Sequence, residues 1–159
     1  MNLQDALDPR GQLTVRKMDA HDTLVETILV HNNIVLSGRD LIAKLFVKQP
    51  IDPVSHVAVG TGDTPVAASD AALAKEVFRK PIAPVDPSRH ITTTDAHKRK
   101  VTITADLDFG EANGALTEAG LFNADSRDKP EGVMYNRVVF PPINKTADFK
   151  LTLIWEIIF

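Results

Sequence analysis

The segment from residue 149 to residue 159 holds the pattern that most constrains how this chain can fold. Large apolar side chains occupy every second position from Phe149 to Phe159, which is the period of a β-strand with one buried face. Each of these side chains contributes about 1.5–3 kcal/mol when it is buried. The segment is therefore predicted to be a core strand whose terminal residue lies in the core. Ile154 and Ile158 face the other way, which predicts that a second sheet or a partner chain partly covers that face.

Similar alternation recurs along the chain and sets the fold class. Further strands are predicted at residues 13–18, 24–30, 54–59, 77–80, 101–109, 116–123 and 133–140. The first two form a hairpin around the polar turn DAHDT, and Asn113-Gly114 is typical of a second hairpin turn. The predicted fold is mainly β, an antiparallel β-sandwich with one or two short helices.

The clearest helix follows Ser37. Ser37 and Asp40 match a capping box, and apolar residues at helical spacing follow between positions 41 and 46. Pro50 ends this helix, because proline disfavours helical geometry at the residue before it. A shorter helix of two turns is predicted at residues 69–76.

The stretch HVAVGTGDTP, residues 56–65, places a glycine-bearing loop after a strand and raises the question of a nucleotide site. A phosphate loop of the Walker type needs a lysine and a hydroxyl at the start of a helix, and here no lysine occurs before Lys75. A dinucleotide loop needs a third glycine and an immediate helix. Asp63 would also repel a phosphate. The loop is therefore interpreted as a structural turn, with no nucleotide and no other cofactor.

Composition excludes several other functional classes. The formal charge of −3 gives no basic face of the kind that nucleic-acid binding requires. The absence of cysteine removes disulfides, thiolate metal ligands and cysteine nucleophiles. No apolar run approaches the roughly 20 residues of a membrane-spanning helix, and the first residues lack the apolar core of a signal peptide. We expect no nucleic acid, membrane or small-molecule substrate as a partner.

The titratable residues form no pattern that predicts catalysis or metal binding. The five histidines have no helical zinc spacing; they lie at positions 21, 31, 56, 90 and 97. Asp106 and Asp108 would lie roughly 7 Å apart on one strand face, which a solvated face explains without a cation. Glu118 lies within an apolar strand, where it is either an acid–base group or a charge satisfied by backbone amides or an arginine. The chain is therefore predicted not to be an enzyme, with no catalytic residue and no metal ligand.

Taken in order, five segments resemble a known family. They are Asn33–Ala43 (NIVLSGRDLIA), His56–Gly62 (HVAVGTG), Leu73–Arg79 (LAKEVFR), Leu116–Ala124 (LTEAGLFNA) and Arg137–Thr146 (RVVFPPINKT), and an aromatic strand closes the series. This order is similar to the N-terminal, particle-attached domain of tailed-bacteriophage tail-fibre and tail-collar proteins, and to small stand-alone tail proteins built on that domain. The resemblance covers about residues 33–159. It includes no shaft or receptor-binding tip, so receptor recognition is not carried over.

The resemblance implies roles for particular turns and loops. In that family the AVGTG segment is a structural turn, and Gly60 and Gly62 are expected to permit positive φ there. Gly120 is expected to mark a bulge or a close backbone approach. The segment from Pro141 to Thr146 is expected to be a rigid, exposed loop that contacts a neighbour, because its prolines cannot donate ladder hydrogen bonds.

The function implied by the resemblance is structural. The expected division is an N-terminal arm and hairpin at residues 1–32, acting as an interaction segment, and an attachment-like β-sandwich at residues 33–159. Partners would be further copies of the chain, in a trimer or a ring, and other tail, neck or fibre proteins of a virion made in a bacterial cytoplasm. The expected interface residues are Leu13, Val15, Leu24, Arg137, Pro141, Pro142, Ile143, Asn144, Lys145 and Thr146.

Two alternatives stay open at this point. One, in the same structural class, is a head-decoration or neck protein. The other is a small carbohydrate-binding β-sandwich that acts in adhesion, although such a module needs exposed aromatic side chains and the chain has one Trp and one Tyr. For Arg137, an ion pair within the chain is the alternative to a contact with a partner's carboxylate.

Overall fold

A computed structural model describes residues 9–126 and 132–159 of the chain. The described residues form nine strands and two helices, which confirms a mainly β, antiparallel fold with short helices. The elements in chain order are β1 (Arg10–Asp19), β2 (Leu24–Ile34), α1 (Leu36–Phe46), β3 (His56–Gly60), β4 (Glu76–Pro81), α2 (Pro87–His90), β5 (Ile91–Thr93), β6 (Arg99–Leu107), β7 (Gly114–Phe122), β8 (Met134–Lys145) and β9 (Phe149–Ile158).

The strands form one curled antiparallel sheet in the order β4-β3-β7-β8-β2-β1-β9-β6-β5. β2 joins its two halves: it pairs with β1 over most of its length but with β8 only at Asn33 and Ile34. The halves enclose a common core that includes Leu13 and Leu153 from one half and Leu121 from the other. The curl therefore provides the two facing layers that the sequence pattern predicts.

The N-terminal hairpin is an integral part of this sheet. The predicted hairpin is confirmed, and its turn is closed by Asp19, whose carboxylate accepts hydrogen bonds from the amides of His21 and Thr23 at 2.8 and 2.9 Å. β1 pairs with β9 along its whole length. The expected boundary at residue 32 is therefore wrong for the described part of the chain, because β1 lies inside the sheet that β9 completes. Residues 1–8 of the expected arm lie outside the described residues.

Two predictions for segments that connect the strands are wrong. Asn113-Gly114 does not form a hairpin turn, because β6 pairs with β5 and β9 while β7 pairs with β3 and β8. The segment instead crosses from one half of the sheet to the other, with Ala112 and Gly114 at positive φ. Residues 69–76 form no two-turn helix; except for the first residue of β4, they belong to an irregular connection between β3 and β4.

α1 lies where it is predicted, but its first turn differs from the expected capping box. The N-cap is Val35, with no side-chain hydrogen bond, and Ser37 Oγ instead donates to the carbonyl oxygen of Met134 at 2.7 Å. Ser37 therefore anchors α1 to β8. Of the expected apolar face, Leu41 is buried, whereas Phe46 is 90% exposed.

β9 has the alternation of buried and half-buried side chains that its sequence predicts. Its core-facing residues from Leu151 to Ile157 are buried, while Ile154 and Ile158 on the other face are half-buried. Phe159 is the exception, since almost half of it is exposed, and the prediction that it belongs to the core is wrong. Its backbone is held by Arg99, with a hydrogen bond in each direction. Neither helix of the described part of the chain is long and apolar enough to cross a membrane.

Candidate functional site

The glycine-bearing loop after β3 is held by a carboxylate from the neighbouring strand. β3 ends at Gly60, and β7 carries Glu118 opposite it. The fully buried carboxylate of Glu118 accepts hydrogen bonds from the backbone amides of Gly62, Ala74 and Lys75 at 3.0, 3.0 and 2.7 Å. Both ends of the loop 61–75 are therefore fastened to one side chain. We call this arrangement the Glu118 clasp.

Arg137 on β8 completes the Glu118 clasp from the other side. Its guanidinium contacts Oε2 of Glu118, with Nη2 at 2.9 Å, and Oδ2 of Asp70, with Nη1 at 2.9 Å. Nη2 also donates to the carbonyl oxygen of Thr64 at 3.1 Å. Arg137 is buried and its charge is paired within the chain. The expectation that it anchors a partner is therefore wrong, and the alternative of an intrachain ion pair is confirmed.

Packing, rather than a left-handed backbone, explains the two glycines of this loop. Neither Gly60 nor Gly62 has positive φ, which corrects the expectation. A Cβ at Gly60 would lie 2.4 Å from the carbonyl oxygen of Lys75, and one at Gly62 would lie 2.5 Å from Oε1 of Glu118. The loop approaches the carboxylate so closely that only glycine fits. At Gly120 the predicted close approach is confirmed, because a Cβ there would lie 2.6 Å from the carbonyl oxygen of Asn136.

Chemically, the Glu118 clasp fastens a loop. The amides that a phosphate would need already donate to Glu118, and a phosphate would have to displace that carboxylate from Arg137 as well. Burial of charged groups is tolerated when they are paired and hydrogen-bonded, as Glu118 and Arg137 are here. The second possibility stated for Glu118, a charge satisfied by amides and an arginine, is confirmed.

Lys145 is a second buried cation, and it holds the crossing between β6 and β7. Its Nζ donates to the carbonyl oxygens of Asp108 and Phe109 at 2.8 and 3.2 Å and to Oδ1 of Asn113 at 3.1 Å. Burial lowers the pKa of this ammonium, an effect that the nearby carboxylates of Glu111 and Asp108 partly offset. Lys145 therefore stabilises the fold and is not available at the surface.

The expected interface residues divide between core and surface. Those in the core, where the expectation is wrong, are Leu13, Val15, Arg137, Ile143 and Lys145. Those at the surface are Leu24, Pro141, Pro142, Asn144 and Thr146. The division follows from the course of β8, which continues as a strand to Lys145 instead of becoming a loop after Phe140. Its alternate residues face the core, and its prolines lie where the register with β7 shifts.

Sequence reasoning missed that β2 is an apolar strand with an unpaired edge. Among the described residues, the ladder of positions 24–32 is made with β1 alone. Val25 and Leu29 on this strand are 52% and 56% exposed, and Leu24 is also exposed. Unpaired N–H and C=O groups beside exposed apolar side chains are a template for pairing with another chain. The signal in the sequence is the apolar residues on both faces of β2, at Leu24, Val25, Ile28 and Leu29.

A second exposed apolar feature lies at the end of α1. Leu45, Phe46 and Val47 follow one another in the chain, and all three are exposed. Solvated helix ends normally carry polar side chains, so three consecutive exposed apolar residues indicate a contact surface. Within the described residues, no group of three or more histidine, aspartate or glutamate side chains is placed to hold a metal ion.

Comparison of the chain with protein-family models, with curated proteins and with solved structures finds no match. The likeness to tail-fibre and tail-collar attachment domains therefore depends on the order of the five sequence segments. Four of them supply β3 and most of β4, β7 and β8, which are consecutive in the sheet. They also supply Gly62, Lys75, Glu118 and Arg137, so the segments that carry the resemblance are those that build the Glu118 clasp.

Proposed function

We propose that this protein is a structural subunit of a tailed phage or a phage-derived contractile particle. It acts as an adaptor, collar or baseplate subunit that links tail or neck components and docks fibres. The observation that carries the proposal is the apolar edge of β2, which no described strand pairs at positions 24–32 and which a neighbouring chain can complete by adding a strand.

The rest of the fold supports a rigid subunit with a fixed docking edge. The Glu118 clasp fastens the longest connection in one half of the sheet, and β1 and β9 pair along their full lengths in the other. A rigid body loses little conformational freedom when it binds, so more of its contact energy contributes to affinity. Symmetric assembly into a trimer or a ring is the usual arrangement for such subunits, with stable contacts that bury about 1,000 Å² or more.

Of the two alternative functions, the structure disfavours only the carbohydrate-binding module. A head-decoration or neck protein would use the same edge at another position in the particle. A carbohydrate-binding module is disfavoured, because Trp155 and Tyr135, the single Trp and Tyr of the chain, are both buried. Sugar rings stack on exposed aromatic faces, which neither residue offers.

Gold labelling of a C-terminal tag on intact particles, viewed by electron microscopy, tests the proposal. Phe159 is partly exposed, so a tag after it extends from the surface. Label at the collar, the tail tip or the baseplate is the expected result, and its position separates these roles from head decoration. Purified particles without label, in a preparation where the free tagged protein does bind gold, would overturn the proposal.

A further inference from the structure

The unpaired edge of β2 is long enough for a second strand to pair with it. From Leu24 to Asn32 the strand has a described partner on one side only, because the pairing with β8 begins at Asn33. These nine positions extend over about 31 Å, at about 3.4 Å per residue. Every side chain from Leu24 to His31 is exposed or half-buried. An added strand would therefore reach unpaired backbone groups and apolar side chains along most of this edge.

Among the described strands, the two outer edges of the sheet are poorer partners for the unpaired edge of β2. β5 forms one outer edge and has three residues. β4 forms the other and has six, the last of which is Pro81, a residue without an N–H to donate. Of the described strands with an unpaired edge, only β2 itself matches this length. Within this chain, the best partner for β2 is therefore β2 of a second copy.

Two antiparallel copies of β2 satisfy each other's hydrogen-bonding groups when a twofold axis relates them. Directly opposite residues in an antiparallel pair direct their N–H and C=O groups alike, both towards the partner strand or both away from it. A residue that lies opposite its own copy always meets this condition, and so do all the pairs counted outwards from it. The resulting contact is isologous, as in the twofold dimers that are the commonest symmetric assemblies.

The start of β2 carries an excess of acidic side chains. Glu26 lies on the strand, and Asp19 and Asp22 lie at the turn before it. Two lysines partly offset them, since Lys17 is opposite Glu26 on β1 and Lys150 is bonded to Asp22. Three carboxylates are thus present with two ammonium groups, so this is the acidic end of the unpaired edge.

The other end of β2 is basic. His31 lies on the strand, and Arg10 and Arg39 line the same cleft beside it, although each arginine also interacts within the chain. None of the residues that line this cleft carries a carboxylate. An antiparallel partner places its acidic end beside this basic end, and symmetry repeats the arrangement at the other end of the pair. Salt screens such charges only weakly within about 8–10 Å, so charge favours the antiparallel second copy.

We propose that two copies of this protein pair through β2, antiparallel and about a twofold axis at Ile28. An axis at Glu26 would place that carboxylate opposite its own copy, which is destabilising, and an axis nearer the other end would bring the second copy against β8. An axis at Ile28 places Glu26 opposite Val30 of the second copy. Leu29 then lies opposite Thr27. The five central pairs, at positions 26–30, lie in the part of β2 that pairs with β1 without a register shift.

The inference rests on the proposed function and makes it more specific, because it identifies the neighbour at the unpaired edge as a second copy. Pairing joins the five strands β2, β1, β9, β6 and β5 of each copy into one continuous layer of ten strands. A ring built from such pairs contains an even number of subunits.

Single cysteines test the pairing, because the chain has no cysteine of its own. Thr27→Cys and Leu29→Cys replace exposed residues that lie opposite each other in the proposed pair, with Cβ atoms about 5 Å apart. Thr92→Cys, an exposed position on the outer strand β5, is the matched control. One variant carries a larger tag, so that non-reducing gels separate mixed from homodimeric disulfides. We expect the mixed disulfide of Thr27→Cys with Leu29→Cys to form at least about tenfold faster than any homodimeric one, because only that pair of sulfurs meets the geometry of a disulfide.

Sedimentation of the cysteine-free protein measures the same pairing without a cross-link. The parent should dimerise reversibly, with a Kd that rises as salt is added. Glu26→Lys should raise this Kd by about tenfold, because the reversed charge acts at both ends of the pair. Asp63→Lys makes the same change of charge at an exposed residue of the loop 61–75 and should leave the Kd unchanged.

Contrary results would be equally specific. A homodimeric disulfide of Thr27→Cys or Leu29→Cys that forms faster than the mixed one would overturn the inference, because it requires another register or a parallel contact. Mixed disulfides that form no faster than those of Thr92→Cys would overturn it too, and so would a parent that sediments as a single chain up to about 1 mM. Gold-labelled particles together with an unpaired protein would refute this inference alone. Unlabelled particles would refute the proposed function, whether or not the copies pair.

Discussion

Nη2 of Arg137 lies 2.9 Å from Oε2 of Glu118, and both side chains are buried beneath the loop 61–75. The pair joins β7 to β8, and its remaining hydrogen bonds go to the loop that connects β3 to β4. One ion pair therefore links two neighbouring strands, β7 and β8, to the longest irregular connection of this half of the sheet. Removing Arg137 leaves Glu118 buried without its counterion, and removing Glu118 leaves Arg137 paired with Asp70 alone.

Replacing Glu118 with glutamine should destabilise the protein by about 3–5 kcal/mol, because Arg137 then keeps a buried charge that Asp70 alone compensates. The free energy of unfolding from urea titration measures this change. Glu26→Gln, on an exposed residue of β2, is the matched control and should change stability by less than about 0.5 kcal/mol. Equal effects of the two substitutions would show that the Glu118 clasp does not support the fold.

Gly62→Ala should cost about 1–3 kcal/mol, because the new methyl group would meet Oε1 of Glu118 and the side chain of Ala74, each 2.5 Å away. Gly110→Ala is the control, since nothing lies within 4 Å of a Cβ there. That second change should be neutral or slightly stabilising. Thermal melts of both variants measure the difference. A nucleotide-dependent increase in the melting temperature of the parent that Gly62→Ala abolishes would instead restore the nucleotide interpretation of this loop.

Tyr135→Phe should change stability in a pH-dependent way. Burial raises the pKa of the Tyr135 hydroxyl well above its ordinary value of 10.0, so the folded chain keeps this proton where the unfolded chain loses it. The stabilisation is complete below about pH 10 and declines as the pH rises further. The phenylalanine variant lacks this decline and should be the more stable of the two near pH 11.

The same substitution has a second expected outcome at pH 7. The Tyr135 hydroxyl is buried with no hydrogen-bond partner among the described residues, a situation that costs about 1–3 kcal/mol. Tyr135→Phe should therefore be as stable as the parent or more stable at pH 7. Urea unfolding at pH 7 and pH 11 tests both outcomes, and the chain has no other tyrosine to complicate the comparison. A variant clearly less stable than the parent at both pH values would contradict this account of Tyr135.

Trp155→Ala should cost about 3–5 kcal/mol and leave little folded protein, because Trp155 is fully buried between β1 and β6 in the core of the sheet. Circular dichroism of the purified variant measures the folded fraction. A variant that folds normally but no longer assembles would mean that Trp155 faces a partner instead of the core.

Sequence patterns predicted this fold where periodicity alone decides the structure. The alternation in β9 and β6 and the turn DAHDT identified buried strands and a hairpin, because a strand with one buried face has an unambiguous period. The long connection before β4 could not be predicted in the same way. The sequence predicts two helical turns at residues 69–76, but the amides of Ala74 and Lys75 bond to Glu118 and not to helical carbonyls. The partner that overrides local preference lies more than forty residues away.

Less of the candidate site than of the fold could be predicted from the sequence. The sequence predicts that Glu118 and Arg137 are charges inside apolar strands, but only the sheet order brings them together. The prolines before Ile143 and Lys145 indicate a loop, and they conceal the strand alternation of these two residues. The unpaired edge of β2 depends on β8 diverging after two paired residues, and no local pattern in either strand specifies that divergence.

Incorporation of variants into particles tests the central claim most directly. Val25→Lys places a charge on the unpaired edge of β2, and Val85→Lys changes a 40% exposed valine outside the strands as the matched control. Lysine on an edge strand opposes pairing with another chain. Tagged protein that co-purifies with particles is quantified by immunoblot after both variants are shown to melt like the parent. We predict at least about a tenfold loss for Val25→Lys, as expected for roughly 1.4 kcal/mol of lost contact energy, and none for Val85→Lys. Equal incorporation of Val25→Lys and the parent would contradict the claim that this edge docks the protein in its assembly.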